Sequence, residues 1–309
     1  MNATAPRSIS QYLDQLRTVL AGEDPALVQD ALYDAEEYLR AEVAAHPGKS
    51  EADVLELIAS TYGAPEEVAA AYRDTEAKLK VAMAPPPPRS SVAPASALRR
   101  FFGVFGDVRA WSSLFFMLLS LVTGVFYFVF AVVGVSMSAG LAILIIGVPF
   151  FLGFIGLMRV LALGEGRLLE AVSGERMPRR PVHPGPPRGF VQRMLDMLRD
   201  ARTWTTLAYF VLMLPLGVVY FTIAVTGSSL GVGLLGAGFA ALLQAFGVDL
   251  PMGPVHLQVG NEPIGQGNAL ALFLPCLLLG ILALTVTMHV ARAIGRGHAR
   301  LAKALLVTG

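Results

Sequence analysis

Three stretches of this chain hold no lysine, arginine, aspartate or glutamate: Trp111–Met158, Thr203–Val248 and Pro263–Ala291. A membrane-crossing helix needs roughly 20 apolar residues, so the first stretch has room for a hairpin of two crossings. The pattern predicts four crossings, at about 111–135, 140–160, 204–228 and 268–291. Residues 230–246, LGVGLLGAGFAALLQAF, are apolar too. They could lengthen the third crossing, re-enter the bilayer or lie on its surface.

The first eighty residues follow another rhythm, with apolar positions at helical spacing among many acids. Ser8 or Ser10 can cap a helix that carries Tyr12, Leu13, Leu16 and Leu20. Asp24 and Pro25 suit the N-cap and first position of a second helix, with Leu27, Ala31, Tyr38 and Leu39 on its buried side. Ser50 and Asp53 form a capping-box pattern ahead of Val54, Leu55, Leu57 and Ile58. Gly63 ends that helix, and Pro65 starts another with Val68, Ala69 and Tyr72. The expected fold is all-α: a small soluble helical bundle joined to a polytopic four-helix membrane bundle.

The membrane part repeats itself. At an offset of 93, residues 107–141 match 200–234 at sixteen of thirty-five positions. The matches include Asp107/Asp200, Arg109/Arg202, Trp111/Trp204, Gly124/Gly217, Tyr127/Tyr220 and Gly134/Gly227. Asp-x-Arg-x-Trp is not a product of apolar composition, so an internal duplication is expected. Arg159, Gly164, Arg167 and Leu168 parallel Arg292, Gly297, Arg300 and Leu301 at an offset of 133, which places an insertion of 40 residues in the second copy. Each copy reads as a helical hairpin, so the repeats are parallel. Short amphipathic helices, with Phe101, Phe102, Val104 and Phe105 or Met194, Leu195, Met197 and Leu198, precede each tryptophan. They suit the membrane interface or a cytoplasmic extension of the span.

The expected boundaries are a head at 1–82, a proline-rich linker at 83–98 and a first membrane repeat at 99–174. A basic linker follows at 175–190, then a second repeat at 191–309 with its insertion at about 236–268. The linker APPPPRSSVAPASA could reach roughly 40 Å as a semi-rigid spacer. No signal peptide is expected at the start of the chain.

Charge then sets the topology. The net formal charge of +1 hides a head at −8 and a remainder at +9. Arginines crowd residues 159–202 and the tail from Arg292 to Lys303, whereas the Ser136–Gly140 turn and 236–268 have no lysine or arginine. Lysine and arginine favour the cytoplasmic side, which predicts an inner-membrane protein with both termini cytoplasmic. Trp111 and Trp204, with Arg109, Arg202, Asp107 and Asp200, become interface anchors. Gly124, Gly217, Gly134, Gly227 and Gly231 become helix-packing positions.

Candidate chemistry is sparse. Gly231, Gly233 and Gly236 spell a dinucleotide fingerprint, but no βαβ context surrounds it. Pro149, Pro215 and Pro275 lie in or near spans, where kinks are expected. His289 lies near the cytoplasmic end of a span, and no charged cluster marks a transport path. The lone Cys276 excludes an intrachain disulfide. Asp249, His256 and Glu262 make the insertion a candidate outer sensing loop, where PVHLQVGNEPIG suits a small hairpin. Their spacing does not make a metal site. No catalytic motif, cofactor or direct nucleic-acid binding is expected. Asp34, Glu36, Glu37, Glu66 and Glu67 form a candidate acidic surface for a protein partner, and the basic linker suits anionic lipid headgroups.

Two resemblances sharpen this. Tyr-Leu-x-x-Leu, the acidic helix, Gly-x-Pro-Glu-Glu and Ala-x-x-Tyr-Arg, across about residues 9–80, resemble the HAAS family of helical domains associated with helix-turn-helix regulators. Ala64 stands where that family often has a polar capping residue. Across about residues 100–305, Asp-x-Arg-x-Trp, Pro215-Leu216-Gly217 and the arginine-rich closing helix resemble a membrane sensor domain of some bacterial histidine kinases. The 40-residue insertion departs from that pattern. The resemblance implies a membrane signalling protein working with a PadR-like transcriptional regulator. No kinase domain follows, so the output is expected to pass through the head or cytoplasmic loops. A permease or pore subunit, and a non-sensing membrane scaffold, are the alternatives. Lipid, a cytoplasmic regulator and a second copy of the chain are the expected partners.

Overall fold

The computed structural model describes residues 5–83, 97–141, 146–180, 190–246, 248, 258–259, 262–263 and 266–307. The fold is all-α. The head holds α1 (Ile9–Val19), α2 (Pro25–Ala45), α3 (Glu51–Ala59) and α4 (Pro65–Met83). Next come α5 (Ala97–Phe102), a 3-10 turn at Gly103–Gly106, α6 (Val108–Leu141) and α7 (Gly147–Ser173). The chain continues through α8 (Phe190–Arg199), α9 (Ala201–Ala245) and α10 (Gln266–Leu306). Between α9 and α10, β1 (Gln258–Val259) and β2 (Glu262–Pro263) pair antiparallel, within the segment expected to form a hairpin.

The head forms as its caps direct. Ser8 accepts from the Gln11 N–H, and Asp24 accepts from the Ala26 N–H beside Pro25. Ser50 and Asp53 complete a reciprocal capping box. Those hydrogen bonds hold the Asp53 carboxyl below its ordinary pKa. With alanine at position 64, the Glu67 side chain reaches back to the Ala64 N–H instead. Tyr12, Leu16, Leu20, Leu27, Ala31, Leu39, Leu55, Ile58, Val68 and Ala69 make one core. Leu57 departs from expectation: it is 48% exposed, because α3 turns 54, 55 and 58 inward.

Among the described residues, four helices are long and apolar enough to cross a membrane: Val108–Leu141, Gly147–Ser173, Ala201–Ala245 and Ala271–Leu306. They carry outward-facing residues such as Phe115, Val122, Val160, Val232 and Leu274, all more than half exposed. A water-soluble surface rarely presents so much contiguous apolar area, whereas lipid accepts it. The helices exceed the expected crossings. Residues 230–245 continue α9, which runs unbroken for 45 residues against 34 in α6. At 1.5 Å per residue α9 is about 67 Å long, about twice a hydrocarbon core.

The chain divides into two compact units. One comprises Met1–Pro94, Gly134–Tyr209 and Leu301–Gly309; the other comprises Ala95–Val133 and Phe210–Arg300. In the second, α6 and α9 touch backbone to backbone. A Cβ on Gly124 would overlap the Met213 carbonyl, and one on Gly217 would overlap the Ser120 carbonyl. Positions 120 and 213 are themselves 93 apart, so the two approaches mirror each other. Gly227 lies against Thr287, Gly231 against Leu284 and Gly280 against Leu235. Small residues let helices approach where lipid removes the hydrophobic drive between them. In the first unit, Gly134 lies against Phe154 in the same way.

Candidate functional site: an aspartate in a basic collar

The first unit joins the head to helix ends of the membrane part. Helix α7 stops at Gly174, whose φ of +73° suits glycine, and its N–H donates to the Glu170 carbonyl. The chain then leaves the helix and meets α2 at Asp30, which is 5% exposed. One Asp30 carboxylate oxygen accepts from the Arg179 N–H at 2.9 Å and the Arg180 N–H at 3.0 Å. The other accepts from Arg176 Nη2 at 3.1 Å. Arg176 also pairs with Glu76 on α4. Charge-assisted bonds of this kind are about twice as strong as neutral ones.

Further bonds surround that centre. Arg180 pairs with Asp34 at 2.9 Å and lies 5.7 Å from the Tyr33 ring centroid. Tyr72 donates to the other Asp34 oxygen at 2.9 Å. Burial and that carboxylate both push the Tyr72 pKa upward. Gln29 donates to the Arg180 carbonyl at 2.7 Å and accepts from Arg202 at 2.9 Å. Arg202 donates also to the Val307 carbonyl at 2.5 Å. Lys303 reaches Asp24 at 2.6 Å. The acids of the head thus meet the bases of this chain's own connector and tail.

Of the five acids expected to form a partner surface, Asp34 lies in this collar. Glu36 pairs with Arg40 at 2.6 Å, and Glu37, Glu66 and Glu67 are exposed. Asp30 and Glu76 were not foreseen, and Asp24 was expected only as an N-cap. A signal existed for Asp30: it interrupts the apolar stripe of Ala26, Leu27 and Ala31 on α2.

The expected anchors have a structural role of their own. Asp107 caps α6 by accepting from the Arg109 N–H at 3.0 Å, and Asp200 caps α9 through the Arg202 N–H at 3.1 Å. Asp107 pairs with Arg292 at 3.1 Å and Asp200 with Arg159 at 2.9 Å. The indole N–H of Trp111 donates to the Phe105 carbonyl, and that of Trp204 to the Leu198 carbonyl. Arg109 is exposed, while Arg202 is half-buried.

Longer helices bring two further ionisable residues into the bundle, Glu165 and His298, each 1% exposed. Glu165 accepts from the Tyr209 hydroxyl at 3.0 Å. His298 contacts the rings of Phe116 and Tyr220. His289 bonds the Phe101 carbonyl at 3.0 Å. Asp249 and His256 lie outside the described residues, and Glu262 pairs with Val259 across the strand pair. Among the described residues, no group of three or more His, Cys, Asp or Glu is placed to hold a metal.

The family described as "Putative sensor" matches residues 116–306. The chain belongs to this sensor family. With its four long apolar helices, it is a multi-pass membrane sensor. The match begins beyond the head. No curated protein and no solved structure matches the chain.

Proposed function

We propose that this sensor relays a membrane or envelope signal by holding or releasing its own acidic head. The observation that carries this reading is Asp30, buried among the Arg176 guanidinium and the backbone N–H groups of 179 and 180. A buried carboxylate is stable only while its partners stay in place. A small shift of the α7 end would therefore loosen the head, and coupling of about 1–3 kcal/mol changes occupancy severalfold.

The relay is non-catalytic. The head, connector and tail lie on the cytoplasmic side of a bacterial inner membrane, as their arginine excess favours. The membrane part arose by internal duplication; the mirrored Gly124 and Gly217 approaches and the matching Asp–Arg pairs support this. The output partner is a helix-turn-helix regulator of the PadR-like kind, on the strength of the head's resemblance to HAAS domains. The regulator binds the head once the collar opens.

The test uses the full chain in native membranes, cross-linked in cells and purified. Asp30→Ala should recover more of one helix-turn-helix regulator than the parent does, and should alter transcription without the signal. Equal recovery and unchanged transcription, with the head shown to be released, would overturn the relay.

A further inference from the structure

A second feature of the first unit is a cavity that continues into a groove. The cavity, of about 60 Å³, is lined by Arg159, Asp200, Arg202 and Thr203 together with apolar residues. The groove, of about 350 Å³, shares Met158 and Thr203 with it. Its floor is one face of α7, where Gly147, Val148, Phe151, Ile155 and Met158 recur at helical spacing. Those residues span about 16 Å along the helix axis. Ala139, Trp204 and Leu207 form part of its walls. A volume of this size falls within the roughly 300–1,000 Å³ of small-molecule sites.

Thr203 marks the join. It is 5% exposed, and its hydroxyl has no hydrogen-bond partner. A buried hydroxyl left unpaired is costly, so such a group calls for a ligand that supplies an acceptor or donor. The charged residues at that end are two arginines and one aspartate, leaving one positive charge in excess. The corresponding place in the other unit repeats the charges, as Arg292, Asp107 and Arg109, but has neither the hydroxyl nor the space. There Ala110 occupies the position of Thr203, and Gly295, in the position of Ala162, packs so closely on Ser113 that a Cβ would overlap it.

We infer that this groove binds a single-chain anionic amphiphile from the bilayer, with its acyl chain along α7 and its head at Thr203, Arg159 and Arg202. The chain displaces no polar partner, because the groove is apolar. The anionic head accepts from the Thr203 hydroxyl and balances the excess arginine charge. The head can be a carboxylate or a phosphate ester, which share this chemistry. The inference deepens the sensor reading by naming a ligand class, and binding itself does not require the head to leave the collar.

Trp204 borders the groove and is one of only two tryptophans in the chain. Trp111→Phe therefore leaves it as the sole indole reporter. The full-length variant, in phosphatidylcholine nanodiscs, is titrated with dibromostearate, with a brominated lysophosphatidate and with the methyl ester of dibromostearate. Saturable quenching by one or both anions, at concentrations where the ester gives none, is expected; which anion saturates names the source. Thr203→Val should weaken it about tenfold, the scale of one charge-assisted hydrogen bond. Thr203→Ser should retain it. Ala139→Phe, at an exposed wall position, should abolish saturation without disturbing the core. Non-saturating quenching, or equal quenching by the ester and in every variant, would mean partition into the bilayer and would overturn the inference. Because the titration reads binding alone, its failure is distinct from a failure of the relay.

Discussion

Position 209 in one unit and position 116 in the other are related by the offset of 93, and positions 165 and 298 by the offset of 133. The first pair is Tyr209 with Glu165, a buried hydroxyl donating to a buried carboxylate. The second is Phe116 with His298, ring against ring. The same helix-to-helix meeting thus pairs a hydroxyl with a carboxylate in one unit and ring with ring in the other, where the Tyr220 hydroxyl also meets His298 at 3.4 Å. Around the polar pair lie the collar, the half-buried Arg202 and the cavity with its unpaired Thr203. Around the aromatic pair, Ala110, Ala291 and Gly295 pack tightly. The two junctions thus differ in kind: close packing and rings around His298, with the Tyr220 hydroxyl beside it, against a buried carboxylate and hydroxyl at Glu165 and Tyr209.

The largest effect should come from the features that both halves need. Gly124→Val or Gly217→Val puts a side chain into the opposite backbone and should cost about 3 kcal/mol or more, read by thermal unfolding in detergent. Gly233→Ala and Gly236→Ala, where the surrounding space is open, should be near neutral and serve as controls. If all four behaved alike, the close helix approach would be wrong.

Asp30→Ala should follow, at about 3 kcal/mol, because it strands two part-buried N–H groups and leaves the half-buried Arg176 with Glu76 alone. The readout is tryptic cleavage of the connector after Arg179, since Pro181 protects the bond after Arg180; it should rise while the Gly124 region keeps its stability. Unchanged cleavage would deny the collar its hold on the head.

Tyr209→Phe makes the polar junction resemble the aromatic one and should cost about 1 kcal/mol, since it leaves Glu165 short of a donor. Phe116→Tyr, the reverse change, inserts a hydroxyl beside His298 and tests whether that junction tolerates polarity. Equal and negligible shifts in melting temperature would erase the distinction between the two ends.

The smallest effect belongs to the cap-linked ion pairs. Arg159→Gln and Arg292→Gln remove partly exposed partners of Asp200 and Asp107, so each should cost about 0.5 kcal/mol, and less at high salt. A much larger loss at Arg159 alone would tie that pair to the collar and the groove.

Much of this was readable in the chain. The head's caps are short-range devices: Ser8, Asp24 with Pro25, and Ser50 with Asp53 bond within three residues of themselves. The apolar runs also reveal themselves, because a helix in lipid must satisfy its own backbone within one continuous segment. Their lengths were less legible. Helices α7 and α10 run beyond the uncharged stretches because an arginine or glutamate does not interrupt intrahelical hydrogen bonds, and this carries Glu165 and His298 inside.

The helical periodicities, the caps, the four long apolar segments and the paired Asp-x-Arg-x-Trp motifs are all written locally in the chain. All of these depend on residues within a few turns of one another, or on an internal likeness visible by alignment. Which acid meets which base emerges only when distant segments fold together. Asp30 finds positions 176, 179 and 180 about 150 residues away, and Asp24 finds Lys303 across 279. Charge patterning predicts that an acidic head and a basic connector attract, but attraction is non-directional at long range. Burial on α2 and the turn at Gly174 single out one carboxylate, and no local pattern encodes that meeting.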